Sequence, residues 1–383
     1  MSIFRTMGAG VVSLAIGAGM VLVPHPAMAS DHTETVVTAS ASSTASRMAD
    51  QAAFIRSQQR SSGAILHGSG GINPYFGNFA ALGLLEEGSS PSIAAADRWL
   101  GWVLAHLNID PTVDGGRHTI YDYAIVGGQE VSRGTYDSVD SYAATTLTLA
   151  NALWKKGDES IRTGLAEHVE VLEKVARLLD DAPAGVRKPS GLTQATFTYN
   201  VAFLMDNAEV YQGLRDFAEF ESALGRLESA ATYNAWAEMT RVAILGKQWN
   251  SATKLWSWHD SVVPNLSGPF YAQSMAQYYP VLFGVVDADD SRAVASWTAL
   301  SARWPEWRRN DLGSAEAATP MAYAAALMGD TAGARAMVDD IDAQYAPGWH
   351  YPTAASGTLT TWWSPAQAGW YIRTLALLES AAH

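Results

Sequence analysis

The chain has 383 residues, a formal net charge of -13 and no cysteine. That acidic balance disfavours polyanionic partners such as nucleic acid, and the missing cysteines exclude disulfides and thiolate chemistry. At 48% hydrophobic residues, the chain has enough apolar content to bury a core as one large domain or two small ones.

At the amino terminus Arg5 precedes an apolar stretch from Gly8 to Val23, which ends in Ala27-Met28-Ala29 before Ser30. This pattern reads as a secretory signal peptide over 1–29 with a small-residue cleavage site. Pro24, Pro26 and the Ala-x-Ala flank argue against an uncleaved anchor. Its removal takes away Arg5, so the mature charge is about -14. No later run of about 20 apolar residues asks for a bilayer. The expectation is a secreted, extracellular protein with no membrane partner after cleavage. Residues 30–44 are rich in Ser, Thr and Ala and read as a flexible lead. One domain is expected over 45–383.

From Ala45 onward apolar residues recur at helical spacing and strand-like alternation is scarce, so the reading is all-α, with twelve helices and no strands. Helices with one charged face are expected near 45–60, 91–107, 158–180, 222–248, 288–303 and 330–345. Between them lie helices apolar around most of their circumference, near 74–87, 138–156, 196–220, 271–286, 315–328 and 364–381. A striped helix faces solvent on one side, whereas an all-round apolar helix is buried on most. Strict alternation of outer and inner helices predicts an (α/α)6 toroid of six hairpins, repeating about every 55 residues. Links from inner to outer helices are short, as at Gly88, Lys156 and Gly329. Links from outer to inner, at 61–73, 108–136, 181–195, 249–270, 304–314 and 346–363, are long and rich in Gly, Pro and aromatics. Long structured loops usually carry function, and all six are expected at one rim.

Four segments carry a family resemblance: Ile72-Asn73-Pro74-Tyr75-Phe76, the stretch Tyr136-Asp137-Ser138-Val139-Asp140-Ser141-Tyr142, the stretch Met205-Asp206-Asn207-Ala208-Glu209-Val210-Tyr211, and Trp370-Tyr371-Ile372-Arg373. With the hairpin alternation, the chain resembles the bacterial six-hairpin glycosidase superfamily over nearly its whole mature length. The resemblance implies a glycoside hydrolase acting on carbohydrate, and inversion of configuration. It matches no complete motif of one family.

Asp206 and Glu209 stand out because they are expected in the middle of an apolar inner helix, with Tyr199 on the same face. Charges there are costly unless partnered or used. Asp137 and Asp140 open the neighbouring inner helix, where Asp137 suits an N-cap and Asp140 the third position of a capping box. Glycoside hydrolysis needs a protonated acid and a second carboxylate. Asp140, Asp206 and Glu209 are the candidate catalytic residues, and Asp137, Tyr75, Asn78, Tyr142, Tyr199, Trp258, His259, Trp362 and Trp363 are candidate substrate contacts. Trp249, Trp256, Trp258, Trp304, Trp307, Trp349, Trp362 and Trp363 lie in or beside the long links, where flat rings can stack on sugars or plug gaps between hairpins. His259-Asp260 reads better as surface residues than as an acid/base pair, and Arg308-Arg309 as solvated charge.

No nucleophile elbow, His-Glu-x-x-His, Walker loop or dinucleotide-binding glycine pattern occurs. No metal and no required cofactor are expected. Three other readings stay open: a polysaccharide lyase, which needs a Tyr or His base and a cation for the uronate; an epimerase turning on His259 and His350; and a non-catalytic glycan-binding protein.

Overall fold

A computed structural model of the protein describes residues 43–67, 71–312, 318–346 and 363–381. The leader, nearly all of the lead segment, Trp349, His350, Tyr351 and Trp362 lie outside the described residues. Thirteen α-helices are present among the described residues, one more than expected because the third outer helix is broken at His168.

The outer series is α1 (Thr44–Ser57), α3 (Ser90–Ala105), the pair α5 (Glu159–Glu167) and α6 (Val169–Ala176), α8 (Leu227–Lys247), α10 (Ser291–Arg303) and α12 (Thr331–Tyr345). The inner series is α2 (Pro74–Glu87), α4 (Asp140–Lys156), α7 (Leu204–Ala223), the single turn α9 (Tyr279–Leu282), α11 (Thr319–Leu327) and α13 (Pro365–Ser380). Each inner helix touches the next, and α13 packs back on α2, so the toroid is closed. Among the described residues no helix is long and apolar enough to cross a membrane.

Local sequence explains the ends. Asn73 caps α2 by accepting from Phe76 N at 3.1 Å, and Pro74 occupies its first turn, where a missing N–H costs nothing. Gly88 at φ +78° terminates the same helix in the left-handed region, as a turn into a short link requires. Glycine also sets how closely the inner helices approach. A Cβ on Gly369 of α13 would lie 2.2 Å from the Phe79 carbonyl oxygen of α2, and one on Gly213 of α7 would lie 2.5 Å from the Ala144 carbonyl of α4. Backbone meets backbone at both seams.

Three expectations need correction. First, strands do form, inside the long links. Gly71–Ile72, Tyr123–Val126 and Gln129–Ser132 make a three-stranded antiparallel sheet, and Trp249–Asn250 pairs with Leu255–Trp256. Two to four residues are too few to show alternation in sequence. Second, the third inner helix starts at Leu204 and not near 196. The Thr196 hydroxyl accepts from the amides of Thr198 and Tyr199, and residues 202–204 bond to the 258–260 backbone instead of winding. Third, the fourth inner helix is a 3-10 turn at Met275–Gln277 followed by one α turn. Pro280 lacks the N–H that a longer helix would need there.

Candidate active site

Because the inner helices run in parallel, their N-terminal ends gather at one end of the ring axis. A cavity of about 220 Å³ opens there, lined from all six: Tyr75, Phe76 and Phe79 on α2, Asp137, Ser138, Ser141 and Tyr142 at the start of α4, Met205 and Asp206 on α7, Tyr278 and Tyr279 at α9, Thr319 and Pro320 on α11, and Gln367 and Trp370 on α13. Its floor is an aromatic septum. Phe79 and Trp370 lie with ring centroids 4.9 Å apart, and Phe283 closes beneath them at 6.3 and 6.1 Å.

Among the described residues, five carboxylates lie in or around this cavity. Asp206 lines it directly from the first turn of α7, not from mid-helix as the sequence reading had it. Burial first, and then the neighbouring charges of Asp140, Glu209 and Asp137, hold its pKa well above the usual carboxylate range. Glu209, one turn deeper, accepts from the Tyr75 hydroxyl at 2.7 Å through Oε1. Burial pushes it up to about 8, against the lowering bonds from Tyr75 and Ser141. The Ser141 hydroxyl lies against both acids, and Tyr279 adjoins Tyr75.

Asp140 is fully buried and fully engaged. Its Oδ1 accepts from the Ser138 hydroxyl at 2.7 Å and its own neighbour's amide, Ser141 N, at 3.0 Å; its Oδ2 accepts from the Thr193 hydroxyl at 2.8 Å. Burial raises it to about 6 and these bonds pull the other way. The expected capping box is absent. Val139 N is tied to the Ala195 carbonyl at 2.6 Å, so α4 begins at Asp140 itself and Asp137 is left outside the helix. Released from capping, Asp137 lines the cavity, and burial takes it to about 6.

The fifth acid, Asp122, went unseen in the sequence. It directly precedes the strand Tyr123–Val126, and its Oδ1 accepts from Asn73 Nδ2 at 3.0 Å and from the Tyr142 hydroxyl at 2.9 Å. Burial lifts it to about 6, the Tyr142 bond opposing and Asp137 adding to the rise. Its only local signal is the run Tyr121-Asp122-Tyr123, an acid between two aromatics in a long loop.

The other candidates scatter. Tyr75 and Tyr142 border the cavity. Asn78 does not: it is buried in the wall, donating to Thr145 and Thr146 hydroxyls at 2.9 and 3.1 Å and accepting from Trp99 Nε1 at 2.9 Å. Tyr199 is 43% exposed and sits before α7, not on its face. Trp258 stacks on Phe203 at 5.7 Å, and His259 lies edge-on to both, away from the cavity lining. Asp260 pairs with Lys188 at 2.5 Å. Arg308 and Arg309 pair with Asp330 and Glu306. Trp363 is buried, donating to Gln51 Oε1 at 3.0 Å, and Trp256 and Trp307 are buried as well. These three loop tryptophans fill gaps between hairpins. Among the described residues, the tryptophan that does line the cavity, Trp370, is on an inner helix.

No protein-family model matches the chain, and no curated protein matches it. Solved structures do share its fold. A structure described as a wild-type glycosidase aligns with 88% of this chain and 96% of its own at a TM-score of 0.62 and 15% identity. A bacterial glucoamylase complexed with acarbose aligns with 87% of this chain and 55% of its own (TM-score 0.58, 12% identity). A metal-independent alpha-mannosidase of Streptococcus pneumoniae, in a non-productive complex with alpha-1,6-mannobiose, aligns with 87% and 93% (TM-score 0.57, 14% identity). The shared feature is the (α/α)6 toroid.

Proposed function

We propose that the protein is a secreted glycoside hydrolase, with Asp206 and Asp137 as the carboxylates that face substrate. One observation carries the reading: the buried Asp206 and the half-buried Asp137, both with raised pKa values, open onto one aromatic-walled cavity at the axis of the ring. Asp206, whose hold on its proton is strengthened by burial and by the neighbouring acids, suits the general acid that donates to the leaving oxygen. Asp137, at about 6, is mostly ionised and suits the base that takes a proton from water. Glu209, bridged to Tyr75 behind Asp206, keeps negative charge near the acid variable and so sets its proton affinity. Asp140, saturated with hydrogen bonds, fixes the start of α4 and thereby Ser141 and Asp137.

Several supports favour a neutral sugar. No Lys, Arg or His is among the described residues that line the cavity, whereas a lyase needs a cation to meet its uronate. The fold is shared with structures described as glycosidases and with a glucoamylase and an alpha-mannosidase. Inversion and export are part of the proposal, the first implied by the family resemblance and the second by residues 1–29.

The test is a panel of neutral polysaccharides and oligosaccharides with reducing-end detection. Release of reducing ends by the natural chain and none by Asp206→Asn is the expected result; glycan affinity without product from any member of the panel would overturn the hydrolase reading in favour of a binding protein. Proton NMR of the first anomer formed checks inversion, and sequencing of the amino terminus of protein recovered from the medium checks cleavage near Ser30.

A further inference from the structure

The fourth inner helix stops early, and a basin takes the space beyond its end. The other five inner helices run for 9 residues or more, whereas α9 has 4 and gives way at Gly284, φ +68°, to the link into α10. The basin lies at the end of the ring opposite the acid cavity. One face of α7, Phe283, and Tyr323 of α11 wall it, and Arg373 reaches it from α13, which stands across the closed ring from α7. The short links at this rim, 88–89, 157–158, 224–226, 283–290 and 328–330, are all described.

Charge is distributed unevenly on these walls. Arg215, one turn after Tyr211 on α7, donates through Nη1 to the Tyr211 hydroxyl at 3.1 Å. Arg373 is held by rings instead: its guanidinium carbon lies 4.1 Å from the Trp370 ring centre and 4.9 Å from that of Tyr323, and its buried Nη1 has no hydrogen-bond partner among the described residues. Neither arginine has an ion-pair partner among the described residues. The acids that share the basin are engaged with α4. Glu219 pairs with Lys155 at 2.6 Å and accepts from Asn151 Nδ2 at 3.1 Å, and Asp216 lies against Thr148 and Asn151, where burial raises it to about 6. Two cations are thus left uncompensated on opposite walls of one concavity.

A guanidinium stacked on aromatic rings keeps its in-plane N–H groups for hydrogen bonds, and that fork matches the paired oxygens of a carboxylate or phosphate. Helix carbonyl ends at this rim disfavour an anion, but by less than charge-assisted hydrogen bonds supply. Leu282, Phe283 and Leu327 add apolar surface for a carbon skeleton. We infer that the basin binds a small organic oxyanion, a molecule that presents a carboxylate or phosphate group to Arg215 and Arg373 and its carbon skeleton to the apolar wall. The site is separate from whatever the acid cavity cleaves. The two share a wall, because Trp370, on which Arg373 stacks, also lines the acid cavity.

The test is calorimetric titration of the whole chain with glucose 6-phosphate and with glucuronate, glucose serving as the neutral control. At least one of the two anions should bind, one per chain. Arg215→Gln and Arg373→Gln should each weaken that binding at least tenfold, while Asp206→Asn in the acid cavity leaves it unchanged. Arg215 is exposed, so its variant carries the test even if taking Arg373 from its rings unfolds the chain. An arginine-dependent loss for glucose 6-phosphate alone assigns a phosphate ligand, for glucuronate alone a carboxylate, and for both an oxyanion of either kind. No binding of either anion, or binding that Arg215→Gln leaves intact, would overturn the inference. So would an equal loss of glucose binding in Arg215→Gln, because the basin would then read the sugar and not the anion.

Discussion

The two ends of the ring are built from the same six helices and behave differently. At the N-terminal end, Asp140, Asp206 and Glu209 are buried with hydroxyl and amide donors around them and no Lys or Arg partner among the described residues. At the C-terminal end, a larger basin of about 850 Å³ is lined by Arg215, Asp216, Glu219 and Arg373, and its rim acids have cations: Glu219 meets Lys155 at 2.6 Å and Glu86 meets Lys156 at 3.6 Å. Lys155 holds Glu219 below its ordinary range, whereas burial holds Glu209 up at about 8. Volume does not mark the chemistry. What marks it is a cluster of several acids raised together, where the basin lining has Asp216 alone at about 6, at the end where helix N-termini offset part of the cost of negative charge.

Removing one cavity acid should sharpen that contrast most. Asp137→Asn is expected to lower turnover by about a thousandfold on whichever glycan is cleaved, with the melting temperature held. A parallel loss of folding would instead make Asp137 structural. The septum between the two ends is next. Gly369→Ala places a methyl against the Phe79 carbonyl and should cost about 3 kcal/mol in denaturant unfolding. A neutral result would mean that the seam between α2 and α13 is loose.

The pH dependence of stability separates the acids raised by burial, Asp216 of the C-terminal basin among them, from the more exposed, paired ones by sign. Asp206 and Glu209 keep protons in the folded state that the unfolded chain has lost above about pH 4.5, so they make stability fall as pH rises toward 8. The slope is about 1.4 kcal/mol per pH unit for each extra proton retained. Glu219 and the other acids with lowered values act oppositely, losing their contribution only as pH falls below about 4. Melting temperature should therefore decline between pH 5 and 8, and Glu209→Gln should flatten the decline; a rise over that interval would contradict the buried-acid description. The smallest expected effect is Tyr75→Phe. It removes the bond that lowers Glu209, so it should cost about 1 kcal/mol at neutral pH and move the titration of Glu209 further up.

The alternation of striped and all-round apolar helices was readable because each helix repeats its pattern over many turns, and the contrast of short and long links oriented the ring. Asp206 and Glu209 were readable for a related reason: acids among Phe203, Leu204, Met205 and Val210 contradict their surroundings. What sequence could not convey lies where tertiary contacts override local pattern. The Thr196–Phe203 stretch has helical periodicity, yet Thr196 and the 258–260 backbone take its hydrogen bonds. Asp137 is a good N-cap by pattern, yet the Ala195 carbonyl fixes Val139 and frees it for the cavity. Asp122 sits in a loop without periodicity, and only the fold of the small sheet carries it to Asn73 and Tyr142.

The Gly369–Phe79 seam also governs when the molecule can fold. It joins the first inner helix to the last, two elements at opposite ends of the described chain, and α1 packs on the same α13. Until α13 has been synthesised, the growing chain is an open arc with apolar edges at α2 and α11. The entropy of closing so long a loop has to be met before this contact contributes anything. Circularity is therefore the last property the chain acquires. A nascent chain stays threadable until α13 arrives, and the cavity floor, with Trp370 on that helix, is completed at the same moment.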